Sequence, residues 1–396
     1  MLTQRQLFLS HLAQTTTFPL MIEIEKAEGI YLYDTNGKKY ADLISGISVS
    51  NLGHRHPKVL EAIKNQLDKY MHLMVYGEYI QSPQVKLASL LALHLPAHLS
   101  CTYFVSSGAE AIDGAMKLAK RFTGRSEIIS FANCYHGSTQ GALSIMGNEI
   151  FKNAYRPLLP DMRTIEFNNE QQLSFITSNT AAVFVEPIQG EAGVILPEKD
   201  YLKKLRQRCN ETATLLVADE IQCGFGRTGT LFAFQQYDFV PDILCLAKAM
   251  GGGMPMGAFI SSKEIMNTLT ENPMLGHITT FGGHPVCCAS GYATLKVLLE
   301  ENILQQVAEK EKLFKLLLKH PRIKEVRSKG LLMAVQFDSF ESNKKIIDAC
   351  IERGVITDWF LFNDSAMRIA PPLIITEQEI KDCCFVVLDS IGANFD

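Results

Sequence analysis

The stretch that most constrains this chain runs from Ala213 to Gly257. It opens as ATLLVADEIQCGFGRTG and closes as PDILCLAKAMGGGMPMG. Two apolar runs inside it, Leu215–Ala218 and Ile243–Ala247, have the length of buried strands. The first ends in Asp219-Glu220 and the second in Lys248. In an open parallel sheet the carboxyl ends of the strands line the ligand crevice, so the acid and the lysine are expected to face one site. The chain between them is long enough for a crossover connection. Gly224, Gly226 and Gly229 follow the acid, and Gly251, Gly252 and Gly253 follow the lysine. Such loops let backbone approach a ligand closely.

Pyridoxal phosphate chemistry calls for this pair. A lysine forms a Schiff base with the cofactor, and a carboxylate keeps the pyridine nitrogen protonated so that the ring accepts electrons. The plain alternative is a surface acid and a snorkelling lysine after two ordinary core strands. Either half alone favours that alternative, so the rest of the chain decides.

At 396 residues the chain has room for two domains and a large core. A net charge of −4 gives no electrostatic case for nucleic acid or an anionic membrane. The ten cysteines show no CxxC and no zinc-site spacing, so no metal is expected. The vicinal pairs Cys287-Cys288 and Cys383-Cys384 lie in helix-like patterns and read as buried, reduced thiols. The N-terminal twenty residues lack the basic and apolar parts of a signal peptide, and no apolar run reaches membrane-spanning length. A soluble, cytoplasmic protein is expected.

From the N-terminus, Ile30–Asp34 and Lys39–Leu43 flank Asn36-Gly37 and read as two strands around a turn. His54 and His56 sit in a loop with no third ligand in view and read as structural. A strand, Thr102–Val105, then runs into Ser107-Gly108-Ala109-Glu110 and a helix-spaced apolar series from Ile112 to Phe122. Ser107 and Glu110 form an expected capping box, and small residues at a helix start after a strand suit a phosphate. The next strand, Glu127–Phe131, leads to Tyr135 and His136, and an aromatic there is placed to lie on a planar ring. Ala181–Val185 ends in Glu186, with Glu191 five residues on; these are either solvated loop charges or partners for a substrate-binding cation. Near the C-terminus Arg368 sits among apolar neighbours and needs an anionic partner, from the protein or from a substrate. Thr376 and Glu379 form a second capping box.

Taken in order, SSGAEA, YHG, VEPIQGEAGV, ADEIQCGFGRTG, LAKAMGGGMPMGA, TTFGGHPV and MRIAPPL closely resemble the class III aminotransferases, the family of the ornithine, acetylornithine and 4-aminobutyrate enzymes. The resemblance covers the chain from about residue 30 to its end. It implies an α/β protein of the pyridoxal-phosphate transferase fold type I, in which a large domain with a mostly parallel seven-stranded sheet is joined to a smaller α+β domain. The corresponding division is an N-terminal segment of the small domain over 1–50, the cofactor-binding domain over 51–289 and the rest of the small domain over 290–396. It also implies a homodimer with active sites at the subunit interface.

By the same resemblance, Lys248 is the Schiff-base lysine and proton shuttle, and Asp219 the acid on the pyridine nitrogen. Gln222, one helical turn past Asp219, matches the residue that bonds the phenolic oxygen, and Tyr135 the aromatic stacked on the ring. Ser107, Gly108 and Ala109 match the phosphate cup, to which Thr280 is added from the partner subunit. His136 and Glu186 complete the cofactor surroundings. Arg368 matches the grip on the substrate α-carboxylate, and Glu191 the acid that pairs with that arginine when an ω-amine is bound. The implied reaction moves an amino group from an amino acid or ω-amine to a 2-oxo acid, with 2-oxoglutarate as the acceptor, by a ping-pong mechanism. An aminomutase or decarboxylase of the same fold is the alternative. One departure bears on substrate: acetylornithine and 4-aminobutyrate enzymes usually read HGR after the stacking aromatic, whereas this chain reads His136-Gly137-Ser138. Serine cannot supply a bidentate guanidinium contact, so those two specificities are discounted.

Overall fold

A computed structural model describes residues 2–395. Three sheets organise them. The central one contains β4 (Cys101–Val105), β5 (Glu127–Phe131), β6 (Met162–Ile165), β7 (Thr180–Val185), β8 (Leu215–Asp219), β9 (Ile243–Leu246) and β10 (Gly257–Ser261). Their spatial order is β4-β10-β9-β8-β7-β5-β6. All neighbours are parallel except β10, which runs antiparallel to both β4 and β9. Every residue of β7, β8, β9 and β10 is buried, as expected for strands covered on both faces. The connection order reverses between β5 and β7, and in such sheets a crevice opens at that reversal.

The helix Gly108–Thr123 covers one face of this sheet with Ala111, Ile112, Ala115, Met116, Leu118 and Ala119. It starts at Ser107, whose hydroxyl accepts from the Glu110 N–H, and it ends at Gly124 in the left-handed conformation. The expected capping box is only half formed. The Glu110 carboxylate reaches past Ser107 and takes the N–H of Ser106 at 2.7 Å. It therefore fixes the turn out of β4, leaving the Ser107 N–H side of the helix start open. The box at Thr376 closes in both directions.

A second sheet joins β1 (Ile24–Glu28), β2 (Tyr31–Asp34) and β3 (Lys39–Asp42) to β13 (Val355–Ile356), which lies parallel to β3. The third has the order β11-β12-β15-β14, from β11 (Glu325–Lys329), β12 (Leu332–Gln336), β14 (Asp358–Phe360) and β15 (Asn363–Ile369). Helix Pro285–Glu300 is continuous and packs on the helices Pro57–Leu67 and Ser82–Leu93. Arg227, in the glycine-rich loop after β8, ties the central sheet to the third. It is fully buried and donates to the carbonyls of Leu331 at 2.9 Å and Pro371 at 2.6 Å. Burial lowers its pKa to about 9. His54 bonds Asp42 at 2.9 Å, in keeping with a structural role, and the vicinal cysteines are buried and unpaired. Among the described residues no cluster suits a metal ion, and no helix is long and apolar enough to cross a membrane.

Candidate active site

The carboxyl ends of β5, β7, β8 and β9 converge on a cavity of about 460 Å³. Asp219 is the last residue of β8 and pairs in register with Cys245 of β9. Lys248 lies three residues beyond that partner, so adjacent parallel strands deliver the acid and the lysine to one place. Both line the cavity. The backbone at Lys248 has φ 49°, a value rare outside glycine, and it opens a single turn of 3₁₀ helix that carries the side chain off the strand end. Burial pushes the Lys248 ammonium below its usual pKa, and Arg368 adds to this, while Glu191, Asp219 and Glu186 oppose it.

The loops after β5 and β7 are tied together by Glu186, which accepts from Tyr135 N–H at 3.1 Å and from Gly190 N–H at 3.2 Å. Burial raises its carboxyl to about 8; a protonated His136 opposes that rise and Asp219 adds to it. His136 Nδ1 lies 2.7 Å from Asp219 Oδ2 and holds that carboxylate in place, while Ile221 N–H donates to Oδ1 at 3.0 Å. Burial works against protonation of His136, but the neighbouring Cys134 and the Asp219 carboxylate raise its pKa well above the usual value. Gly137 has φ 132°, and a Cβ there would stand 2.6 Å from that of Ala109. Only glycine lets this loop lie against the start of the helix Gly108–Thr123.

Tyr135, His136, Ser138, Glu186 and Gln222 line the cavity together with Ser107, Gly108 and Ala109. Gln222 sits in a run of turns and not in the helix the sequence suggested, because Gly224, Gly226 and Gly229 follow at once. Its amide lies 3.4 Å from Glu191 Oε1, a long contact. Ser138 is exposed, and its hydroxyl meets the Tyr135 hydroxyl at 3.2 Å.

Three expected site residues are not part of this lining. Thr280 is exposed on the surface. Arg368 and Glu191 lie behind the wall, 2% and 3% exposed, in a two-pronged ion pair with Nη1–Oε1 at 2.8 Å and Nη2–Oε2 at 2.9 Å. Burial disfavours ionised Glu191, but the Arg368 charge outweighs it and holds the carboxyl at about 2. Glu186 and Glu191 are thus buried partners, not solvated loop charges.

Two acids escaped sequence reasoning. Asp358 bonds Arg368 Nε at 2.8 Å, from a strand too short to announce itself by alternation. Glu220, next to Asp219, points away from the cavity and caps the 3₁₀ turn Ala233–Gln236 through the N–H groups of Ala233 and Phe234. Burial raises it to about 7.

Comparison with known proteins agrees with this geometry. The model of the family "Aminotransferase class-III" matches residues 12–390. An acetylornithine aminotransferase of Methanopyrus kandleri is 37% identical over 387 residues, spanning 97% of either chain. One from Methanocaldococcus jannaschii is 38% identical over 94% of each. Among solved structures, the ornithine aminotransferase of Toxoplasma gondii superposes with a TM-score of 0.90 at 29% identity, over 99% of this chain and 96% of that one. A transaminase from the marine bacterium Virgibacillus does so with a TM-score of 0.91 at 28% identity, over 98% of both. With a central sheet of seven strands, four of whose ends carry the expected acid, lysine and loops, this chain belongs to the class III aminotransferases of fold type I and is a transaminase.

Proposed function

We propose that the cavity takes pyridoxal phosphate and that the chain moves an amino group from an amine to a 2-oxo acid, with 2-oxoglutarate as acceptor. The observation that carries this is the placement of Asp219 and Lys248 on adjacent strand ends around one cavity that also receives a helix N-terminus. The residues fit the cofactor. The start of the helix Gly108–Thr123 offers backbone N–H groups and a positive dipole end to a phosphate. His136, which lines the cavity, holds Asp219 through Nδ1, so that carboxylate is oriented for a cation at the site. Lys248 makes no hydrogen bond or ion pair with any described residue and is free to bond covalently. Of the solved relatives, one ornithine aminotransferase structure of Toxoplasma gondii has partial occupancy of PLP at its active site.

When bound, pyridoxal phosphate supplies an electron sink for negative charge developing at the substrate carbon that bears nitrogen. The chain's own groups do the rest. Asp219, fixed by His136, holds a proton on the ring nitrogen. Tyr135 would hold the ring, Gln222 would serve its phenolic oxygen, and Ser107 to Ala109 would hold the phosphate. Lys248, its pKa depressed by burial, takes the proton from the carbon carrying the amine and returns one in the reverse half-reaction. Arg368 receives the carboxylate of the 2-oxo acid, and Glu191 covers Arg368 when the bound amine has none. Two half-reactions at one cavity give ping-pong kinetics.

At the cavity mouth, Ser138 with Tyr135 offers hydroxyls where a guanidinium would be needed for a distal carboxylate. Phe151 and Phe362, with rings 5.3 Å apart, continue this wall from Tyr135. The donor is therefore read as an ω-amine or diamine without a distal carboxylate. A second copy of the chain is read as the partner. Ile80 is 95% exposed and Met274 78%, and the tilted rings of His72 and Phe281, 5.0 Å apart, bring their two segments together beside Thr280. The small domain is read as built from both chain ends, 1–50 and 290–396, in keeping with the β3–β13 pairing. A cytoplasmic location fits ten unpaired cysteines.

The test is to load the protein with pyridoxal phosphate and present amines and amino acids singly, following conversion to the pyridoxamine form, then to regenerate it with 2-oxoglutarate. Diamines should react faster than acetylornithine and 4-aminobutyrate. Absence of conversion with every donor would refute the assignment, and a preference for acetylornithine would refute the donor class alone.

A further inference from the structure

Each of the three residues of β14 contacts the guanidinium of Arg368. Asp358 stands directly opposite Arg368 in the β14–β15 register, and its Oδ1 accepts from Nε at 2.8 Å. The carbonyl of Trp359 accepts from Nη2 at 3.2 Å. The ring of Phe360 lies under the guanidinium carbon at 4.5 Å. The two residues that follow hold Glu191 in turn: Leu361 N–H donates to its Oε2 at 3.1 Å, and Phe362 N–H to its backbone carbonyl at 3.0 Å.

These contacts divide the arginine into two edges. Glu191 occupies the Nη1/Nη2 edge, the edge left for a two-pronged grip on a substrate carboxylate while Asp358 holds Nε. Asp358 occupies the Nε edge alone, with 28% of its side chain exposed. Exchanging Glu191 for an incoming carboxylate conserves the charge around Arg368, but it removes the two shortest contacts on that edge. What remains to fix the guanidinium plane is the Asp358 bond, the longer bond to Trp359 and the Phe360 face.

We propose that Asp358 is a positioning residue for the acceptor half-reaction. It keeps Arg368 aimed at the site while Glu191 is exchanged for the carboxylate of the 2-oxo or α-amino acid. This rests on the reading of Arg368 as the carboxylate grip. An amine without an α-carboxylate leaves Glu191 in place and does not depend on Asp358.

The test uses the cofactor-loaded protein and two variants, Asp358→Ala and Asp358→Asn. The asparagine keeps an oxygen facing Nε. Calorimetric titration with glutarate, a dicarboxylate without the reactive oxo group, measures the grip apart from catalysis. Asp358→Ala should bind glutarate about ten- to a hundredfold more weakly and raise KM for glutamate by a similar factor, the usual penalty for a misaligned contact. In single-turnover conversion to the pyridoxamine form, its rate constant and half-saturation for putrescine should stay within about twofold, since that half-reaction leaves the Glu191–Arg368 pair unbroken. Asp358→Asn should recover most of the affinity. Equal losses for glutamate and putrescine would make Asp358 merely structural and overturn the proposal, as would unchanged glutarate binding in Asp358→Ala. A wild-type protein that binds no glutarate would overturn the reading of Arg368 itself, a result distinguishable from failure at Asp358 alone.

Discussion

Two buried charge clusters stand side by side in this molecule and are built on opposite plans. Around the cavity, three buried ionisable groups converge, two of them with their bonding incomplete. Lys248 has no hydrogen-bonding partner among the described residues and His136 keeps one ring nitrogen unsatisfied, while burial pushes Glu186, held by two backbone N–H groups, up to about 8. Behind the wall, Glu191, Arg368 and Asp358 are mutually paired, with four hydrogen bonds within the trio and its adjoining backbone giving every guanidinium nitrogen a partner. A group whose bonds are unmet is poised to gain a ligand, whereas a group whose bonds are met gives one up only in exchange for another. The first plan suits binding a cofactor once. The second suits a carboxylate that must come and go in each cycle.

The largest effect is expected where the incomplete cluster is emptied of its lysine. Lys248→Ala should lower kcat by about 10²–10⁴, the usual range for loss of a positioned proton carrier, while circular dichroism stays native. Turnover within tenfold of wild type would break the contrast at its root. Opening the saturated cluster should do less. Glu191→Gln leaves Arg368 to Asp358, and kcat/KM for α-amino acids relative to amines should rise about tenfold in half-reaction kinetics. A fall in that ratio would mean that Glu191 does not compete with substrate. At the cavity mouth, Ser138→Arg should improve kcat/KM for acetylornithine and 4-aminobutyrate several-fold by supplying the forked donor the loop lacks, and a uniform loss across donors would count against the donor class proposed.

The smallest effect is on stability, at an acid that belongs to neither cluster. Burial raises Glu220 from its ordinary 4.5 to about 7, so the folded state holds its proton more tightly than the unfolded chain does. Its contribution therefore falls as pH rises from about 4.5 to about 7 and is level above that. Glu220→Gln, which removes the titration, should gain apparent Tm over wild type across that window, by a few degrees, and then hold the gain. Glu191 has the opposite sign: its stabilisation is complete above 4.5 and is lost as pH falls toward about 2. A Glu220→Gln advantage that shrinks with rising pH would show that the carboxylate's two backbone bonds outweigh its desolvation.

The two clusters also differ in how far the sequence disclosed them. The cavity was readable because its groups sit within a few residues of strand ends, and a buried strand is a local pattern: LLVAD and ILCLAK announce both the element and the residue that leaves it. The pairing of Arg368 with Glu191 was readable only through resemblance, since it joins residues 177 apart in the chain. Asp358 was not readable at all. Its strand has three residues and a shifted register at Trp359, so no period-two pattern marks it. The half-formed box at Ser107 has a different cause. Spacing fixes which residues a glutamate can reach, but the turn out of β4 decided that Ser106 presented the nearer N–H. By spacing Gln222 is one helical turn past Asp219, but the three closely set glycines that follow leave that stretch as a run of turns.

The pairing of β3 with β13 has a consequence for synthesis. Along the outer edge of β3, the N–H groups of Ala41 and Leu43 donate to the carbonyls of Gly354 and Ile356. On the ribosome, the hairpin formed first must wait with that edge bare until nearly the whole polypeptide has emerged. A message or protein cut short before residue 354 would release a chain with a bare strand and no sequence left to cover it, which marks such fragments for chaperone capture or precipitation.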